Sequence, residues 1–344
     1  MAGYVGVIDT ATNALLGRVL VGNDPYAVAI TPNGHTAYVT NDGDGTVTPI
    51  TVATNTAGTP ITVGSYPVGI AITPDGATAY VCNYGDNTVS VIDIATDTVT
   101  ATITGFHNPW GVAITPNGAT AYVVNSSYGT VSPVAIPANT VGTVITVGDT
   151  PQDIAITPDG TTAYVTNNNT DVTPITIATN VAGTAINVGY GSQGVAITPD
   201  GTTAWVALYQ DTAALPITVS TGVPGTAVPI GSSPYGIAIT PDGTKAYATN
   251  LHTVTPIAIA TSTVGTVITV GGTPRGIAIT PNGTKAYVCN VGVGPPPPPS
   301  TAVFRMYPRD DGLALGGRRQ NLAGGASPTS VQGSIRVGSS GTYG

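Results

Sequence analysis

Glutamate is absent from this chain, and lysine occurs only twice in its 344 residues. Charged residues make up 8% of the sequence, against about 25% in an average soluble domain. Good helix formers are therefore scarce, while Thr, Val, Ala and Gly dominate, so the composition predicts an all-β protein. The missing Glu also removes chemistry: no HExxH zinc site, Glu general acid or Glu-closed EF-hand can be built. Nine basic residues against 17 acidic ones leave a net charge of −8, which argues against a nucleic-acid partner. No apolar run approaches the roughly 18 residues of a membrane span, so no membrane insertion is expected. Two cysteines cannot form a disulfide framework. Met1 leads straight into strand-like sequence at residues 4–8, and no signal peptide is expected.

What the chain does contain is a repeat. The string AITP, then Asp or Asn, then Gly, occurs seven times, closing at Gly34, Gly76, Gly118, Gly160, Gly201, Gly243 and Gly283. The spacing is 40 to 42 residues. Each copy is followed by Ala, an aromatic residue (Tyr38, Tyr80, Tyr122, Tyr164, Trp205, Tyr247, Tyr287) and a β-branched run. Two further β-rich stretches complete the period, which is the arithmetic of a four-stranded propeller blade. In Thr31-Pro32-Asn33-Gly34, Pro presets φ, Asn favours the next turn position and Gly takes positive φ, linking strands A and B of a hairpin.

The ends are out of phase with the blades. Residues 4–22 read as strands C and D alone, and the seventh copy stops after A and B at Asn290. The expected fold is a seven-bladed β-propeller with four-stranded blades over residues 1–290, closed by the N-terminal CD strands pairing with the C-terminal AB strands. Such closure removes an open sheet edge.

AYVTN at residues 37–41 and 163–167, with the variants AYVCN, AYVVN and AYATN, resembles the YVTN-type β-propeller repeat over about five-sixths of the chain. That resemblance implies the propeller fold and a place among surface-layer and secreted proteins of archaea and bacteria.

After the repeats comes a run of prolines, Pro295 to Pro299, read as a polyproline II spacer at 291–299. Residues 300–344 carry Arg305, Arg309, Arg318, Arg319 and Arg336 against two Asp, a net +3 beside −11 for the propeller. This irregular tail reads either as a solvated end or as a docking arm for other assembly subunits. Its Gly- and Arg-rich sequence resembles C-terminal segments of phage minor tail proteins. The expected location is an extracellular surface or a virion.

Candidate sites are few. Residues 189–194 match GxGxxG literally, but without a following helix they read as a blade connection. Residues 41–45, Asn-Asp-Gly-Asp-Gly, are too short for a calcium loop and read as a B–C turn. His35, His107 and His252 fall in different blades, so neither a metal site nor a catalytic triad is expected, and no cofactor.

The repeats differ mainly on the face that carries the B–C and D–A connections. Three residues before the Ala of AITP stand Tyr26, Val68, Trp110, Gln152, Gln193, Tyr235 and Arg275, a ring near the channel mouth. The following position is Gly or Ala in six copies but Asp153 in the fourth. His107, Tyr190 and Tyr209 lie in neighbouring connections. Aromatic platforms beside Asp, Gln and His suit a protein or glycan partner. The reading is a non-enzymatic binding propeller on a surface or particle, either a cell-surface adhesion module or a virion tail or fibre component. The alternative is an enzyme or cofactor-binding propeller acting at the channel mouth.

Overall fold

The computed structural model describes residues 2–292, and the polyproline spacer and C-terminal arm lie outside them. Seven antiparallel sheets form a closed ring, and no helix occurs among the described residues. Blade 1 begins with strands A (Pro25–Ile30), B (Thr36–Asn41) and C (Thr46–Thr51). Blades 2 to 6 start at Pro67, Pro109, Ile154, Ser192 and Ile237. Blade 7 is composite: Thr273–Ile279 and Lys285–Val291 supply A and B, while Ala2–Asp9 and Ala14–Asn23 supply C and D. Val5 pairs with Cys289 and Val7 with Tyr287, so the two ends of the fold share one sheet as the sequence phase predicts.

Strand D is continuous in only two blades. It runs unbroken through Thr98–Ile103 and Ala14–Asn23, but elsewhere splits into pieces such as Thr56–Ala57 and Ile61–Thr62, both paired with strand C. The split blades carry proline in mid-strand C: Pro49, Pro133, Pro174, Pro216 and Pro256. The Pro49 carbonyl accepts from Gly58 N–H at 2.7 Å, so the side of proline that lacks a donor faces strand D. One ladder bond cannot form there and D bows outward, which an edge strand tolerates. Glycine follows from the same contact, because a Cβ at Gly58 would sit 3.1 Å from Pro49 Cγ. Blades 2 and 7 have neither residue in these places.

The Tyr-Val-Thr-Asn string is an inter-blade fastening. The Tyr38 hydroxyl donates to Asp97 in the C–D turn of the next blade at 2.6 Å; Tyr80 reaches Asn139 and Tyr122 reaches Asn180 likewise. Tyr287 closes the ring on Asn55. Val fills the core. Thr40 Oγ1 accepts from Ala27 N–H at 2.9 Å and donates to the Val68 carbonyl of the next blade at 2.8 Å. Asn41 holds strand C through Thr46 and Thr48, and its Oδ1 accepts from Gly22 N–H at the end of strand D of blade 7. Blade 5 lacks all three polar residues, having Trp205, Ala207 and Leu208 instead. There the Gly194 N–H bonds directly to the Tyr235 carbonyl at 2.8 Å.

The A–B turns interlock around the opposite face. Gly34, at φ 72°, lies against Pro281 of the neighbouring blade, and the same Gly–Pro contact recurs at Gly76 on Pro32 and onward. Cys82 and Cys289 are unbonded and fully buried, as small strand residues at one repeat position should be. Burial pushes both thiols up.

Candidate functional site

The A strands, or in blades 4 and 6 the residue just before them, converge on the channel at Ala27, Gly69, Gly111, Asp153, Gly194, Gly236 and Gly276. Glycine is required where neighbouring backbones approach closely. A Cβ on Gly69 would lie 2.1 Å from the Trp110 carbonyl oxygen, and one on Gly111 2.6 Å from that of Gln152. This ring separates a cavity of about 100 Å³ at the mouth from one of about 160 Å³ inside the channel, and Asp153 borders both.

Asp153 is the one acidic member of the ring. Its carboxylate accepts from its neighbour Ile154 N–H at 2.9 Å and from Val195 N–H of blade 5 at 3.0 Å. Burial pushes its pKa up to about 6, against those two backbone donors. The residue keeps a partly accessible surface because it faces the cavities.

Above the ring, Tyr26, Trp110, Gln152, Gln193 and Tyr235 line the mouth cavity. Tyr26 is the hub: Trp110 stands edge-on to it at 5.6 Å and Tyr235 at 5.8 Å between ring centroids. The Arg275 guanidinium lies 4.7 Å from the Tyr235 centroid and 5.6 Å from that of Tyr26. Arg275 also lowers the pKa of nearby Asp42, which burial and the Asp24 charge raise. Burial pushes the Tyr235 phenol up to about 12, against Arg275. The Tyr26 hydroxyl and Arg275 Nε are buried without a hydrogen-bond partner.

The other candidates do not join this cavity. Val68 is buried in the core beneath Trp110 rather than at the mouth. His107 is exposed and lies over Tyr128 at 4.0 Å. Tyr190 is exposed on the outer part of the face, its N–H bonded to Asp211. Tyr209 lines a separate crevice of about 80 Å³ with Tyr235, Leu251 and Arg275. Gly189 and Gly191 take positive φ in the connection before strand Ser192–Ile197, so GxGxxG is a turn. Among the described residues no group of three His, Cys or Asp side chains is placed to hold a metal ion.

Sequence reasoning missed Tyr84, which stands edge-on to Trp110 at 5.2 Å, and the exposed Tyr66 and Tyr128. For Tyr66 and Tyr128 the signal was available, since each lies in a connection where other copies carry a small or polar residue; Tyr84 shares its position with Tyr209, Leu251 and Val291 and does not stand out.

No protein-family model matches the chain, and no curated protein does. Among solved structures, it is similar to Kuenenia stuttgartiensis hydrazine synthase, with a TM-score of 0.72 at 22% identity, over 78% of this chain and 94% of that one. In all, 1745 solved chains match, a breadth that identifies a widely used scaffold. At this identity the similarity shows the propeller fold.

Proposed function

We propose that this protein is a non-enzymatic binding propeller that presents the channel-mouth face to a protein or glycan partner on a surface or particle. The observation that carries this reading is the mouth cavity with its Tyr26, Trp110 and Tyr235 rings and its Gln152, Gln193 and Asp153 polar groups. At about 100 Å³ it is smaller than the roughly 300–1,000 Å³ of pockets that enclose whole small molecules. It suits a protruding group of a larger partner, with exposed Tyr66, Tyr128, Tyr190 and Tyr209 around it for further contact. The opposite face is occupied by the interlocked A–B turns. The basic arm at 300–344 would attach the acidic propeller to other subunits, and the YVTN and tail-protein resemblances support a surface or virion setting.

A second reading is favoured by Asp153: a carboxylate with a pKa near 6, bordering two cavities, has the properties of a general acid or base. The remaining mouth lining is aromatic, amide and glycine, which serves stacking and hydrogen bonding better than proton transfer.

The test is binding of wild type and Trp110→Ala to glycan and peptide arrays, with thermal melts alongside. Loss of about 2 kcal/mol, or roughly thirtyfold in affinity, with a retained cooperative melt is expected for a central aromatic contact. Unchanged array binding by a folded variant would make Trp110 a packing residue and refute the assignment.

A further inference from the structure

The polar groups of the mouth share one character. Gln152 Nε2 donates one of its two hydrogens to Ser126 Oγ, and Gln193 Nε2 donates one of its two to Asn168 Oδ1. Neither Oε1 has a partner among the described residues, so each glutamine brings an unused acceptor to the cavity it lines. Asp153 accepts two backbone hydrogen bonds, and a carboxylate has room for about four. Its negative charge has no ion-pair partner among the described residues. The nearby cation of the mouth, Arg275, is engaged elsewhere: it lies over the Tyr235 and Tyr26 rings, interacts with Asp42, and lines the outer crevice instead of this cavity.

The walls add a second preference. Three aromatic rings, with Tyr26 at 83° to Trp110 and 85° to Tyr235, form an angular box over the ring that holds Asp153. Aromatic faces attract cations, more strongly where water is excluded; Arg275 already lies over the Tyr26 and Tyr235 rings, so among the described residues Trp110 is the ring of the three with no cation over it. A carboxylate without an ion-pair partner, two amide oxygens and the Trp110 ring therefore favour a cationic donor over an anionic group.

We propose that the mouth recognises a primary alkylammonium group, the side chain of a lysine presented by a protein partner, with the ammonium on Asp153 and its methylene stem lying against the cavity wall that Trp110, Tyr26 and Tyr235 form. This deepens the binding reading above and rests on it. An ammonium has three donors to distribute among Asp153 and the two glutamine oxygens, and the narrow cavity admits a linear stem better than a sugar ring.

The test uses the full chain and n-butylammonium as the lysine side-chain analogue, titrated calorimetrically at fixed ionic strength and pH 7.5. Pentanoate, 1-butanol and glucosamine serve as comparisons. Saturable binding of butylammonium is expected, weakened by about tenfold or more in Asp153→Asn, which removes the charge but keeps the shape. Asp153→Gly, restoring the residue found in other blades, should show the same loss if Asp153→Asn does not fold. Equal butylammonium affinity in either folded variant overturns the proposal, as does preference for pentanoate, butanol or glucosamine. An array partner that depends on Trp110 while butylammonium fails to bind would overturn the lysine assignment and leave the mouth as the binding face. Failure of both tests would remove the mouth itself.

Discussion

Replacing Asp153 by alanine should change how stability depends on pH, and the sign follows from its position. The folded-state pKa is pushed up to about 6 by burial, whereas an unfolded aspartate titrates near 3.9. Between those values the folded protein holds a proton that the unfolded chain releases, so stability falls as pH rises through this window. A difference of two units corresponds to about 3 kcal/mol, and water reaching the carboxylate from the two cavities reduces this toward about 2 kcal/mol. Alanine is accommodated at the equivalent position in blade 1, Ala27, so the variant should fold. It loses the acceptor of the Ile154 and Val195 N–H groups, a deficit that does not vary with pH. Denaturant unfolding at intervals from pH 4 to 8 measures both proteins. The stability advantage of wild type over Asp153→Ala should be largest at pH 4 and shrink by about 2 to 3 kcal/mol by pH 7. The turn carboxylates Asp75, Asp159, Asp200 and Asp242 are held below their usual range by Thr hydroxyls and backbone N–H groups. They lose their contribution as pH falls, alike in both proteins, and cancel in the difference. Parallel pH profiles would show that Asp153 titrates as a solvated carboxylate and that the channel ring does not desolvate it.

Two other perturbations test the ring. Deleting residues 1–23 removes strands C and D of blade 7 and leaves Lys285–Val291 as an unpaired edge, so aggregation on size-exclusion chromatography is expected; a soluble monomer with an unchanged melt would contradict the closure. Tyr287→Phe removes the 2.6 Å bond to Asn55 across the closing interface and should lower stability by about 1 kcal/mol in denaturant unfolding, with no loss meaning that the hydroxyl exchanges freely with water.

The propeller was legible because every blade repeats the same local physics. Pro and Gly mark each A–B turn, and the apolar runs between them are buried on both faces, so seven weak strand signals add in phase. The split of strand D was not read, although its cause is in the sequence: proline stands in mid-strand C of five blades and a glycine faces it. Each residue alone looks like a turn former or a spacer. Only the pairing register brings Pro49 opposite Gly58 and turns two composition facts into one missing hydrogen bond.

The mouth was legible only in part, for a different reason. Comparing repeats places residues at equivalent backbone positions, and this found the Tyr26, Trp110, Gln152, Gln193 and Tyr235 set together with the Gly-to-Asp exchange at 153. Equivalence of backbone gives the same Cβ direction but not the same reach. Val68 occupies the same position as Trp110 yet stays buried in a cluster against which the larger Trp110 and Tyr26 side chains pack. His107, Tyr190 and Tyr209 share the face but lie in connections, where a local turn sets direction independently of the ring. Tyr84 reaches Trp110 from strand B's end, a contact that no comparison within one repeat position can reveal. The seven-fold frame thus specifies where side chains start. Which of them meet depends on the departures from it, and the binding chemistry proposed for the mouth rests on those departures: one carboxylate where the other blades have glycine or alanine, and three aromatic rings drawn from blades 1, 3 and 6.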